Sequence, residues 1–163
     1  MSAIIARLNG WEWVAAQVIL LLVLLFAPLQ AALSAPKWVK LLAIIMAALG
    51  LAISFVASIN LGTALTPTPV PKEQASIHTN GLYRLVRHPI YTSVLFVASA
   101  IALYRLAWSS IILCIAVYVF FNLKSRHEEK LLRSRYPEYQ KYQLATGRFF
   151  PKLSIFKSDD SKG

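Results

Sequence analysis

Two stretches of this chain hold most of the side chains able to do chemistry. The first, GLYRLVRHPIYTSV over residues 81–94, brings Tyr83, Arg84, Arg87, His88 and Tyr91 together around Pro89. Asn80-Gly81 is a turn signal, and the spacing that follows predicts one short helical turn through Tyr83, Arg84, Arg87 and His88. That turn should stop at Pro89, which suits the first position of a new helix because its missing N–H is not needed there. Helix N-termini attract anions, so a carboxylate or phosphate would sit well beside Arg87 at that start. Arg84, Arg87 and Tyr91 would serve equally well as anchors at a membrane–water interface.

The second stretch, SRHEEKLLRSRYPEYQKYQLATGRFF over residues 125–150, pairs two adjacent glutamates with basic and aromatic residues. The i,i+4 spacing of Glu129 and Arg133 predicts a salt-bridged helix. Glu128, Leu131, Leu132 and Arg135 share one face of it, which would turn a carboxylate and an arginine toward the membrane surface. Pro137 should break the helix. Beyond it, Tyr136, Tyr139, Tyr142, Phe149 and Phe150 are apt for an interfacial belt or for stacking on an adenine.

The elements that must position these groups are apolar. The chain has 163 residues, of which 57% are hydrophobic and 15% charged, outside the balance of an ordinary soluble domain. The expected fold class is all-α: a polytopic membrane protein, one membrane domain over residues 1–163, with about four transmembrane helices. The spans are predicted at 13–33, 39–61, 90–104 and 107–123. The first carries no charge and is long enough to cross a bilayer core. A cleaved signal peptide is the competing reading, but the run is long for one and Arg7 is the only basic residue before it. In the second span Gly50, Ser54, Ser58 and Gly62 form a stripe of small residues where another helix can approach closely. The third and fourth form a tight hairpin that only just spans. A cytoplasmic loop is expected at 62–89, with alternating Pro67, Pro69 and Pro71 favouring extended backbone, and a cytoplasmic helical tail at 124–163.

Charge sets the expected orientation. With four spans, both termini and the 62–89 loop share one side, which gathers most of the lysines and arginines, while Lys37, Lys40 and Arg105 lie opposite. The positive-inside rule then places the termini, and with them the two polar stretches, on the cytoplasmic side of the membrane, which would be the inner or plasma membrane if the source is bacterial. The net charge of +10 is explained by topology and attraction to anionic headgroups, so nucleic acid is not expected as a partner. Cys114 is the lone cysteine, and no disulfide framework is available. His78, His88 and His127 lack the i,i+4 histidine pair of a zinc helix, and no metal site is expected.

Gly81-Leu-Tyr83-Arg-Leu-Val-Arg87-His88-Pro89-Ile-Tyr91, followed by Glu128-Glu129-x-x-Leu132 and then Tyr136, Tyr139, Tyr142, Thr146, Arg148 and Pro151, resembles the isoprenylcysteine carboxyl methyltransferase and phospholipid methyltransferase superfamily. The resemblance covers roughly residues 78–151. It implies an enzyme in which the C-terminal helices and polar tail enclose S-adenosylmethionine while a lipophilic acceptor enters from the bilayer. By the same resemblance Tyr83, His88, Pro89, Tyr91 and Glu128 would line the cofactor pocket. Arg87, Glu128, Glu129 and Arg148 would serve the reaction, Arg148 facing a substrate anion. The acceptor would be an isoprenylcysteine or isoprenoid carboxylate, a phospholipid amine or a thiol. Two departures stand out: Ser93 where members often have glycine, and Pro137 after Tyr136 where Phe-Gly is common. A second reading is a reductase, since the C-terminal part of sterol reductases resembles the same Arg-His-Pro-x-Tyr region and uses NADPH. A third is a small transporter or non-enzymatic membrane partner, for which Glu12 at the edge of the first span is the nearest ionisable group.

Overall fold

The computed structural model describes residues 10–28, 33–62 and 77–152, and every regular element among them is helical apart from one isolated β-bridge. Helix α1 (Trp11–Phe26) is 16 residues long. The first span was expected to reach residue 33, but the helix stops ahead of Pro28. Ala27 is already extended, at φ −56° and ψ 140°, as the residue before a proline prefers. The carbonyls freed at this end find a partner outside the helix: Arg105 Nη1 donates to Leu24 O at 2.7 Å, and the same guanidinium reaches Leu25 O and Ala27 O.

Helix α2 (Lys37–Leu61) spans 25 residues and packs most extensively against α4. Gly50 makes that approach possible, because a Cβ there would lie 3.0 Å from Ser93 O and 3.1 Å from Phe96 Cβ. Gly50 of the small-residue stripe is thus a helix contact, whereas Gly62 lies past the helix end with open space around it. Ser93 is itself buried, with its hydroxyl donating to Ile90 O at 2.6 Å, so α2 carries the glycine at this crossing. The proline-rich segment 63–76 and the ends 1–9 and 153–163 lie outside the described residues, as do 29–32.

The chain re-enters through Gly81, whose φ of 58° and tight contact with the Asn60 side chain both require the absence of a Cβ. A single turn, α3 (Leu82–Leu85), leads to α4 (Pro89–Arg105), with Pro89 in its first turn. Leu106 turns left-handed at φ 44°, and α5 (Trp108–Arg135) runs for 28 residues. The fourth span and the start of the tail are therefore one continuous rod of about 42 Å. Tyr136 is extended ahead of Pro137, and α6 (Tyr139–Ala145) folds back.

Leu24, Leu95, Ala98, Val117, Phe121 and Phe149 form the core where α1, α4 and α5 meet. The outward side of α2, including Leu41, Ile45, Phe55 and Ile59, is exposed, an apolar surface suited to lipid rather than water. Of the helices, α2 and α5 are long and apolar enough to cross a membrane, while α1 and α4 are shorter apolar helices of about 24 to 26 Å against a hydrocarbon core of about 30 Å.

Candidate active site

The site begins where the chain between α3 and α4 lies beside the segment that follows α6. The helical turn expected to run through His88 ends at Leu85, because Val86 is extended, at φ −137° and ψ 145°, and bridges in parallel to Gly147. Arg87 N donates to Gly147 O at 2.8 Å and His88 N to Arg148 O at 3.1 Å. Pro89 reinforces this, since its ring pushes the residue before it out of the helical region. Thr92 ties the next turn down, its hydroxyl donating to Phe149 O at 2.9 Å. Two stretches about 60 residues apart are thereby fixed edge to edge, with Arg87 and His88 on one and Arg148 on the other.

Glu129 stands at the centre of this arrangement. Its Oε1 accepts from Arg87 Nε at 3.0 Å and Arg148 Nε at 3.1 Å, and lies 3.2 Å from His88 Nε2. Its Oε2 accepts from Arg148 Nη2 at 2.8 Å and Gln143 Nε2 at 2.9 Å. The side chain is 1% exposed. Burial alone would raise its pKa, but the hydrogen bonds from His88 and Arg148 and the charges of His88 and Arg87 outweigh burial, holding the carboxyl well below the usual carboxylate range. The expected Glu129–Arg133 pair is not how the carboxylate is used: Glu129 turns inward to three cationic or histidine partners, while Arg133 and Arg135 are exposed. Arg148, expected by resemblance to face a substrate anion, places its guanidinium on Glu129 and on Asn122 Oδ1 at 3.3 Å.

Glu128 differs sharply from its neighbour. Its side chain is 25% exposed, and its Oε2 accepts from the Tyr91 hydroxyl at 2.7 Å and lies 3.7 Å from His88 Nδ1. The His88 ring thus sits between the two carboxylates and stacks on Tyr91 at 5.1 Å and an interplanar angle of 3°. Tyr83 is buried alongside, its main-chain carbonyl accepting from the Tyr142 hydroxyl at 2.5 Å. Burial, helped by the charge of Glu128, pushes the Tyr83 phenol up to about 12. Burial likewise raises Tyr139 and Tyr142, so these phenols stay protonated near neutral pH. Pro89 is fully buried at the start of α4. Arg84, in contrast, is exposed, and among the described residues no group of three His, Cys, Asp or Glu is placed to hold a metal ion.

Asn122, Lys124 and Gln143 carry no motif. Asn122 and Gln143 complete the shell with Thr146, whose main-chain O accepts from the Arg87 guanidinium. Lys124 is 1% exposed; its Nζ donates to Gln17 Oε1 at 2.7 Å and lies 5.4 Å from the Tyr91 ring centroid. One signal was available in the sequence: Gln17 is the sole polar side chain of α1 beyond its first turn, and polar groups within apolar spans are seldom idle.

An apolar cavity of about 340 Å³ lies beside the cluster, lined by Leu21, Leu24 and Leu25 of α1, Gly50, Leu51 and Ser54 of α2, and Ser93, Val94, Val97, Ala98 and Ile101 of α4. Leu21 is one turn beyond Gln17 on α1, and Val94 one turn beyond Tyr91 on α4. Gln17 and Tyr91 therefore each stand one helical turn from the chamber's lining.

This pairing of buried polar knot and apolar helices has a counterpart among solved membrane proteins. The structure of the eukaryotic intramembrane Ras methyltransferase, isoprenylcysteine carboxyl methyltransferase, matches with a TM-score of 0.63 over 93% of this chain and 53% of that chain, at 20% identity. The phospholipid methyltransferase family model matches residues 38–139, and the chain belongs to that family. It is also similar to the nickel-cobalt-cadmium resistance protein NccN of Alcaligenes xylosoxydans xylosoxydans, 29% identical over 55% of this chain and 43% of that protein. The cobalt-zinc-cadmium resistance protein CzcN of Cupriavidus metallidurans is 28% identical over 55% of this chain and 42% of its own length. The chain thus spans less than half the length of the curated relatives it matches.

Proposed function

We propose that this integral membrane protein is a methyltransferase that uses S-adenosylmethionine and methylates a lipophilic acceptor drawn from the bilayer. The observation that carries the reading is the division of labour between the adjacent glutamates: Glu129 is sealed in by Arg87, His88 and Arg148, while Glu128, a quarter exposed and bonded to Tyr91, keeps an accessible carboxylate. The donor set fits the cofactor. Glu128 offers a carboxylate to ammonium or ribose hydroxyls, and Tyr83 adds a neutral phenol. When bound, S-adenosylmethionine supplies an electrophilic methyl group on a sulfonium, a leaving group that needs no protonation.

The chain's own residues then have limited but definite work. Positioning supplies most of the rate in such a transfer. Arg87 and Arg148 hold Glu129, Glu129 holds His88, and the stacked His88–Tyr91 pair fixes where Glu128 points. For an amine acceptor Glu128 takes the proton released as the N–C bond forms; a carboxylate or thiolate acceptor releases none. The apolar chain of the acceptor occupies the chamber between α1, α2 and α4, which brings its head to Tyr91 and Glu128. The active site and both termini face the cytoplasm, by the distribution of basic residues.

The experiment is transfer of a labelled methyl group from S-adenosylmethionine into solvent-extractable product by membranes carrying the protein, with isoprenoid acids, prenylated thiols and phospholipid amines offered in turn. Label dependent on the protein and lost in Glu128→Ala supports the reading; no label with any acceptor contradicts it.

A further inference from the structure

Helix α1 lies outside the segment matched by the family model, which begins at residue 38, yet one of its side chains reaches the site. We propose that Gln17 and Lys124 form a positioning pair through which α1 sets the Tyr91–Glu128 contact. Lys124 is a fully buried lysine, and a buried ammonium is costly unless hydrogen-bonded and given a compensating partner. Gln17 supplies the hydrogen bond at 2.7 Å. The Tyr91 ring supplies a second partner, its centroid 5.4 Å from Nζ, within the range of cation–π attraction. Glu128, one helical turn beyond Lys124 on α5, supplies the opposite charge.

The consequence falls on Tyr91. Its ring is held by stacking on His88 at 5.1 Å, by Phe121 at 5.0 Å and by the Lys124 ammonium. The first two contacts fix the ring without regard to charge. The ammonium adds what they cannot: a positive charge beside the ring that withdraws electron density and makes the hydroxyl a stronger donor to Glu128, 2.7 Å away. Gln17 helps to hold the ammonium in that place, because a flexible four-carbon stem does not hold position by itself. Gln17 is also the residue one turn from Leu21 in the chamber's lining, so the same pair ties the acceptor chamber to the polar cluster. The geometric claim stands on its own, whereas its effect on cofactor binding rests on the methyltransferase reading.

The test uses the full chain purified in mild detergent and labelled with 3-fluorotyrosine, the Tyr91 signal being identified by its loss in Tyr91→Phe. The Tyr91 fluorine resonance should move in Gln17→Leu and in Lys124→Met, and return toward its original position in Lys124→Arg, which restores the charge. In calorimetry, S-adenosylhomocysteine should bind about tenfold more weakly to Lys124→Met and about threefold more weakly to Gln17→Leu, and the double variant should be no worse than Lys124→Met, as for two residues acting as a unit. A Tyr91 resonance unmoved in both single variants overturns the proposal. So do fully additive losses in the double variant, or a Lys124→Arg protein no better than Lys124→Met. If the unaltered protein binds no S-adenosylhomocysteine, the methyltransferase reading fails and the fluorine resonances alone decide the pair.

Discussion

Glu128 and Glu129 are neighbours in sequence with opposite circumstances, and substitutions should separate them. Glu129→Gln leaves Arg87 and Arg148 facing a group that no longer balances their charge, the situation in which breaking a buried pair costs about 3–5 kcal/mol. Its melting temperature in detergent should fall by several degrees. Glu128→Ala, at a quarter-exposed site, should melt within a degree or two of the original while losing methyl transfer altogether. Arg87→Ala should lose both, since the guanidinium also holds Gln143 O and Thr146 O. Parallel melting curves and methyl-transfer assays check all three. The motif residues were legible in the sequence because each lies in a dense polar run beside apolar segments. Their roles within the cluster were not, because Glu129 meets Arg87 across 42 residues and Lys124 meets Gln17 across 107, and no local spacing encodes such pairings.

The elements owe their arrangement to a few close approaches. Gly147 is one: a Cβ there would run into the Phe150 carbonyl oxygen, a backbone atom that cannot step aside. Gly147→Ala should therefore separate the 147–149 stretch from 86–88, lower stability by roughly 1–3 kcal/mol as overpacking does, and reduce activity by displacing Arg148. Denaturation in mixed micelles, read beside turnover, measures both effects. The α1 end is the second. The apolar run suggested a span to residue 33, whereas the helix ends at Phe26 because proline chemistry and an arginine 78 residues away decide the terminus. Hydropathy registers neither. The helices bounded by Pro89 and Pro137 were readable because proline acts on its immediate neighbours.

At the scale of the molecule, one buried carboxylate shapes the response to acid. Glu129 has a lower pKa folded than unfolded. Below the usual carboxylate range the unfolded chain takes up a proton that the folded protein does not, so stability falls as pH drops. The protein should hold its melting temperature from about pH 7 to 5 and lose it progressively from about pH 5 downward. Glu129→Gln should start lower and show a flatter slope, which melting curves across that range would reveal. Binding of S-adenosylmethionine at the polar knot is tested by calorimetry of S-adenosylhomocysteine binding to the purified protein, with NADPH in parallel. Saturable one-site binding of the nucleoside, lost in Glu128→Ala while that variant stays folded, and no binding of NADPH are expected. Binding of NADPH, or nucleoside binding that survives Glu128→Ala unchanged, would contradict that assignment.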